Sequence, residues 1–259
     1  MLLPLCLVLA SAAPAPAPLP LADAKEVRKQ FVELAGKKDK DALVALWKAN
    51  PGLVLPTIDR DLEGSLAAME KGEKPDAAKV KEQQQRALFG AECAVLATGH
   101  PILLDYASSF VGWNEAQKRQ FRDGQKVFKA SMDALEKKDF AAAAAKGREC
   151  IERASALGDW WGTAMGYDAL GRAQQAQGGL DDALTALSQA RLINHDLGLL
   201  GDELEELALM ADLCVAGERW PRGAASAHLA SELAKGLGQA EAAKKLAETE
   251  ARCRAKLGG

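Results

Sequence analysis

The sequence predicts an all-α fold, a right-handed α-solenoid of antiparallel helix pairs that follows an N-terminal helical region. Three observations point there. Residues repeat at a constant step of forty: Phe140, Leu180 and Trp220; Ala143, Ala183 and Gly223; Cys150, Ala190 and Ala230; and Leu157-Gly158, Leu197-Gly198 and Leu237-Gly238. No gap is needed to hold this register, and self-similarity at such a period marks stacked repeats. Within the units, apolar residues recur at three- and four-residue steps, the signature of amphipathic helices. Aromatics make up only 5 % of the chain, alanine is abundant and β-branched runs are almost absent, which suits close-packed helices and predicts no sheet.

In chain order, residues 1–13 read as a signal peptide. Leu2 to Ala10 is apolar, and Ala10-Ser11-Ala12 fits a small-x-small cleavage site. The start lacks Lys or Arg, so an uncleaved anchor or a misplaced start are the other readings, but the apolar run is too short to span a bilayer. Leu3-Pro4-Leu5 before Cys6 does not fit the small-residue box of a lipoprotein anchor. Residues 14–21 alternate Ala and Pro, a stiff polyproline-like tether. The mature chain is therefore expected outside the cytoplasm, periplasmic or extracellular, with no transmembrane span.

Residues 22–112 form the predicted N-terminal helical region. Val27, Phe31 and Leu34 make one stripe, Gly36 to Lys40 breaks it, and Ala42, Leu43, Leu46 and Trp47 make the next, ending at Asn50-Pro51-Gly52. The Ala42, Leu46, Ala49 spacing reads as a degenerate repeat unit out of phase with the forty-residue ladder. Leu53 to Lys71 is the next helix, residues 72–76 a turn with Asp76 as N-cap, and Ala77 to Ala97 another helix stopped by Gly99-His100-Pro101. Ile102 to Val111 is short and apolar, and Asn114 caps the helix leading into the repeats. Whether this region continues the stack or packs as a separate bundle is open at the level of sequence.

Residues 113–259 are the repeat region. In its middle unit one helix runs from Trp160 to Gln177 and a second from Leu180 to Asp196, with Gly178-Gly179 as the break. Lys137-Lys138-Asp139 and Gly217-Glu218-Arg219 break the flanking units. Ser131 and Ala143, Gly171 and Ala183, and Ala211 and Gly223 share a twelve-residue spacing, and small residues at both positions let two helix backbones approach. Gln239 to Leu257 is a single closing helix, which stacked repeats need to cover the last apolar face.

Tyr167, Leu170, Gly171, Leu180, Ala183, Leu187 and Ala190 resemble the tetratricopeptide-repeat signature, in a version with longer helices than the usual 34-residue unit. The resemblance covers Gln120 to Leu257; the first unit departs from it at Gly147 and the third at Gly223 and Ala227. It implies a concave surface built from the first helix of each unit, at Gln125, Phe128 and Met132, then Asp168 and Arg172, then Glu205 and Asp212. Such a surface would hold a protein or peptide segment.

Other function classes find little support. The net charge is −3 without a long basic run, which argues against nucleic acid or an anionic membrane as partner. Cys93, Cys150, Cys214 and Cys253 read as small buried hydrophobes or as disulfides, for which four cysteines allow three pairings. The absence of a C-x-x-C pair disfavours zinc. His100, His195 and His228 lie near no recognisable nucleophile pattern, and Gly162 and Gly166 follow no strand that would make them a phosphate loop. No catalytic, cofactor or metal residue is predicted. Trp113 and the tandem Trp160-Trp161 read as packing at helix starts or as exposed anchors. The leading expectation is a non-enzymatic binding or scaffold module. The alternative is a structural accessory subunit or a self-associating helical domain.

Overall fold

The computed structural model describes residues 24–70 and 76–258. The expected signal peptide, the tether and most of the 72–76 turn lie outside the described residues. Within them the chain folds into twelve α-helices without a strand: α1 (Ala24–Lys37), α2 (Lys40–Ala49), α3 (Val54–Glu70), α4 (Ala77–Thr98), α5 (Ile102–Gly112), α6 (Glu115–Glu136), α7 (Phe140–Ser155), α8 (Trp160–Ala176), α9 (Leu180–Leu197), α10 (Leu200–Ala216), α11 (Trp220–Gly236) and α12 (Ala240–Leu257). A short 3-10 turn, Pro51–Leu53, joins α2 to α3. No helix among the described residues is long and apolar enough to cross a membrane.

Local chemistry sets the boundaries. Asp76 accepts the backbone N–H groups of Ala78 and Lys79, and Asn114 forms a reciprocal capping box with Gln117. From α6 onward the turns recur every twenty residues. Lys138, Gly158, Gly178, Gly198, Glu218 and Gly238 each adopt a left-handed φ between 56° and 80°. In each case the following N–H reaches the carbonyl five residues back, at 2.7–3.0 Å. The forty-residue ladder of the sequence is thus two twenty-residue steps. Lys38, at φ 55°, makes the same turn between α1 and α2.

Consecutive helices pack antiparallel. Ser131 Oγ of α6 donates to Ala143 O of α7 at 2.9 Å, while Gln120 Nε2 near the start of α6 donates to Arg153 O near the end of α7 at 3.0 Å. The small residues are where backbones meet. A Cβ on Gly171 would lie 2.7 Å from Leu187 Cγ. Gly147, the position that departs from the repeat signature, faces Gly166: a Cβ on Gly147 would lie 3.0 Å from Leu170 N and 3.2 Å from Gly166 O. Two helix backbones in contact leave no room for the bulky residue the signature places there.

The N-terminal helices share a core of large side chains, with Trp47, Phe31, Leu43, Leu55, Ile58, Leu62, Leu66 and Tyr106 fully enclosed. This core continues into Trp113, Phe121, Leu157 and Leu197 of the later helices. Trp113 is buried and donates its indole N–H to Leu157 O at 2.9 Å. Trp160 and Trp161 are only half-buried. Trp160 donates to Asp105 on α5 at 2.6 Å. Cys93, Cys150, Cys214 and Cys253, the four cysteines among the described residues, are buried free thiols.

Candidate functional site

A groove runs along the first helices of the pairs, α6, α8 and α10, in two lobes. The first lobe, about 280 Å³, is walled by α6, α7 and α8 together with Asp59 and Glu63 of α3 and Tyr106 of α5. The second, about 270 Å³, lies between α8 and α10. Phe128, Trp161 and Met165 line both and form an apolar floor between them.

Acidic groups rim this floor. In the first lobe, burial pushes the Asp159 carboxyl up to about 7, against the opposing effect of the Gly162 N–H that it accepts at 2.9 Å. Burial also raises Asp59 to about 6, although Tyr106 Oη donates to it at 2.6 Å. Glu63 accepts Arg122 Nη1 at 2.8 Å and Gln125 Nε2 at 3.0 Å.

In the second lobe Arg172 Nε pairs with Asp168 at 2.8 Å, and its Nη2 reaches Glu205 at 3.4 Å. Glu206 is buried at 2 % exposure with Oε1 accepting Asn194 Nδ2 at 2.8 Å and Oε2 without a hydrogen-bond partner. Desolvation, then the nearby Asp168 carboxylate, pushes Glu206 up to about 9, so it is a neutral acid at pH 7.

Of the residues expected on the concave surface, Gln125 and Phe128 line the first lobe, Phe128 reaches the second as well, and Asp168, Arg172 and Glu205 line the second. Met132 and Asp212 line neither lobe. Sequence reasoning missed Asp59, Glu63 and Tyr106, which come from helices outside the ladder. It also missed Asp159, which it did not single out. Its signal was its place before the first residue of a helix, where it serves as N-cap. Trp161 carried a signal too, as half of the tandem pair.

The groove's thiol is not poised for attack. Cys150 lines the first lobe, but burial, then the Asp159 and Glu149 carboxylates, push its thiol up to about 12. The two raised carboxyls of the first lobe each have a structural tie, Asp159 to the start of α8 and Asp59 to Tyr106. Away from the groove the fold brings His100 against His195 and Asp196, a pair adjacent in the chain and far from His100 in sequence.

No protein-family model matches the chain, and no curated protein matches it.

Proposed function

We propose that this chain is a non-enzymatic binding module of tetratricopeptide-like architecture, a right-handed solenoid of helix pairs carried into an exported compartment. Its groove holds an extended segment of a protein partner, one that bears an apolar or aromatic anchor flanked by Lys or Arg. The carrying observation is the apolar floor of Phe128, Trp161 and Met165 set between two acid-rimmed lobes. The anchor buries on the floor, where most of the binding energy of such an interface concentrates. The acidic rim, with Asp168, Asp202 and Glu205 outnumbering Arg172 in the second lobe, selects a cationic flank and excludes an acidic one.

Selection of randomised peptides on the full chain, followed by fluorescence-anisotropy titration, tests this reading. Enrichment of basic peptides with one large apolar residue is expected. Their affinity should fall at least about tenfold in Trp161→Ala, the size of a hot-spot loss, and should weaken with added salt. Enriched peptides that bind Trp161→Ala and Glu205→Lys as tightly as the unaltered chain would overturn it. So would a chain that enriches nothing and sediments as a stable dimer.

A further inference from the structure

His100, in the turn between α4 and α5, lies against the last turn of α9. Its Nδ1 is 3.2 Å from Asp196 Oδ1. Its ring meets that of His195 edge-on, with centroids 5.9 Å apart. One ligand-capable atom from each of the three residues lies within 4.8 Å of the other two. We infer that His100, His195 and Asp196 form a binding site for a divalent ion of the zinc class, one that joins the N-terminal helices to the α6–α12 array.

Donor chemistry, spacing and surroundings each support this. Two imidazoles and a carboxylate suit zinc-class ions, with a fourth position left to water. Ligands about 2.0–2.1 Å from a tetrahedral ion sit about 3.3 Å from each other. The 3.2 Å between His100 Nδ1 and Asp196 Oδ1 matches such an edge. The remaining closure falls to half-exposed side chains at the surface.

A carboxylate beyond the ligands orients one of them. Glu203 of α10 is buried, and its Oε2 lies 3.0 Å from His195 Nδ1. That contact holds a proton on Nδ1 and leaves Nε2 as the ligating nitrogen, the arrangement by which carboxylates position metal-bound histidines. Arg191 Nη1 in turn holds Glu203 Oε1 at 3.2 Å. The C-terminal end of α9 adds its own partial negative charge. His228 makes the comparison clear: it faces Glu250 at 3.1 Å with no second histidine beside it.

Titration of the native full chain with Zn(II), in competition with a chromogenic chelator, tests the site. One equivalent of ion is expected for the unaltered protein and for His228→Ala, and none for His100→Ala or His195→Ala. Glu203→Gln should weaken binding by about 10- to 100-fold. Zinc should raise the melting temperature of the unaltered chain and leave that of His100→Ala unchanged, which ties the ion to the junction. Both histidines are largely exposed, so their variants are expected to fold, and melting curves in chelator verify this; Asp196→Asn is the further variant if either does not. An unaltered chain that takes up no zinc, or a His100→Ala/His195→Ala double variant that keeps the full equivalent, overturns the assignment.

Discussion

Asp61 in the N-terminal helices and Glu206 in the later array are both buried carboxyl groups, and their surroundings differ in kind. Asp61 is gripped by Arg86 through two hydrogen bonds of 2.7 and 2.8 Å, and by Arg28. Glu206 has one amide partner and an unsatisfied oxygen. The cores differ in the same way. The N-terminal helices pack nine of the twelve largest fully buried side chains around one centre. The array packs Ala, Gly and Ser between successive helices and has only small apolar clusters. A single centre couples every helix that touches it. A chain of pairwise contacts couples mainly neighbours. The groove opens along the array, where a buried acid keeps an unpaired oxygen, and not in the N-terminal core, where the buried acid is consumed by guanidinium groups.

The largest effect expected breaks the N-terminal side of this comparison. Asp61→Ala strands two cations and should cost about 3–5 kcal/mol in urea denaturation of the full chain. A loss below about 1 kcal/mol would mean that the arginines find water, and that the core is less closed than its packing implies. On the array side, Ala183→Leu pushes extra volume into the contact between α8 and α9 and should cost about 1–3 kcal/mol. Hydrogen exchange sharpens the contrast. Protection should fall in α8 and α9 and persist in α1–α5, whereas Asp61→Ala should lower it throughout the N-terminal helices.

The smallest effect concerns pH. The folded chain keeps a proton on Glu206 up to about pH 9, while the unfolded chain releases it in the ordinary glutamate range. Folding therefore binds a proton between these values, and stability from this group falls as pH rises through the window. Glu206→Gln, which resembles the protonated acid, should abolish that share of the fall. The difference between the two proteins, read by denaturation at pH 6 and pH 7, should be about 1 kcal/mol, because one proton taken up on folding is worth about 1.4 kcal/mol per pH unit. Parallel pH profiles would show that Glu206 is ionised in the fold and the groove more acidic than described.

Much of the array is legible in the sequence because its determinants are local. Gly178 with its neighbour Gly179, and the Lys138 and Glu218 turns, mark breaks two helices apart. Asp76 and Asn114 announce helix starts through side chains that reach only two or three residues ahead. The pairs Ser131 with Ala143 and Ala211 with Gly223 meet across a single turn, so their spacing is visible in one dimension, whereas Gly171 packs against Leu187. The groove is legible only in part. Phe128, Asp168, Arg172 and Glu205 follow from the repeat, but Gln125 is tied to Glu63 of α3, which no periodicity connects to it.

By itself, then, the sequence determined that this protein is helical, where several helices of the array start or break, and some of the small residues that let neighbours touch. These properties depend on backbone hydrogen bonds, caps and contacts spanning one turn. Only the tertiary structure decided that α3 and α5 wall the first lobe, that Trp161 lies on the floor while Trp113 is buried, and that His100 meets His195. It also decided the burial that raises the Asp159 and Glu206 carboxyls. The physical reason is that burial sums contributions from every helix packed around a group, and contacts between helices outside the repeat register leave no periodic mark in the chain.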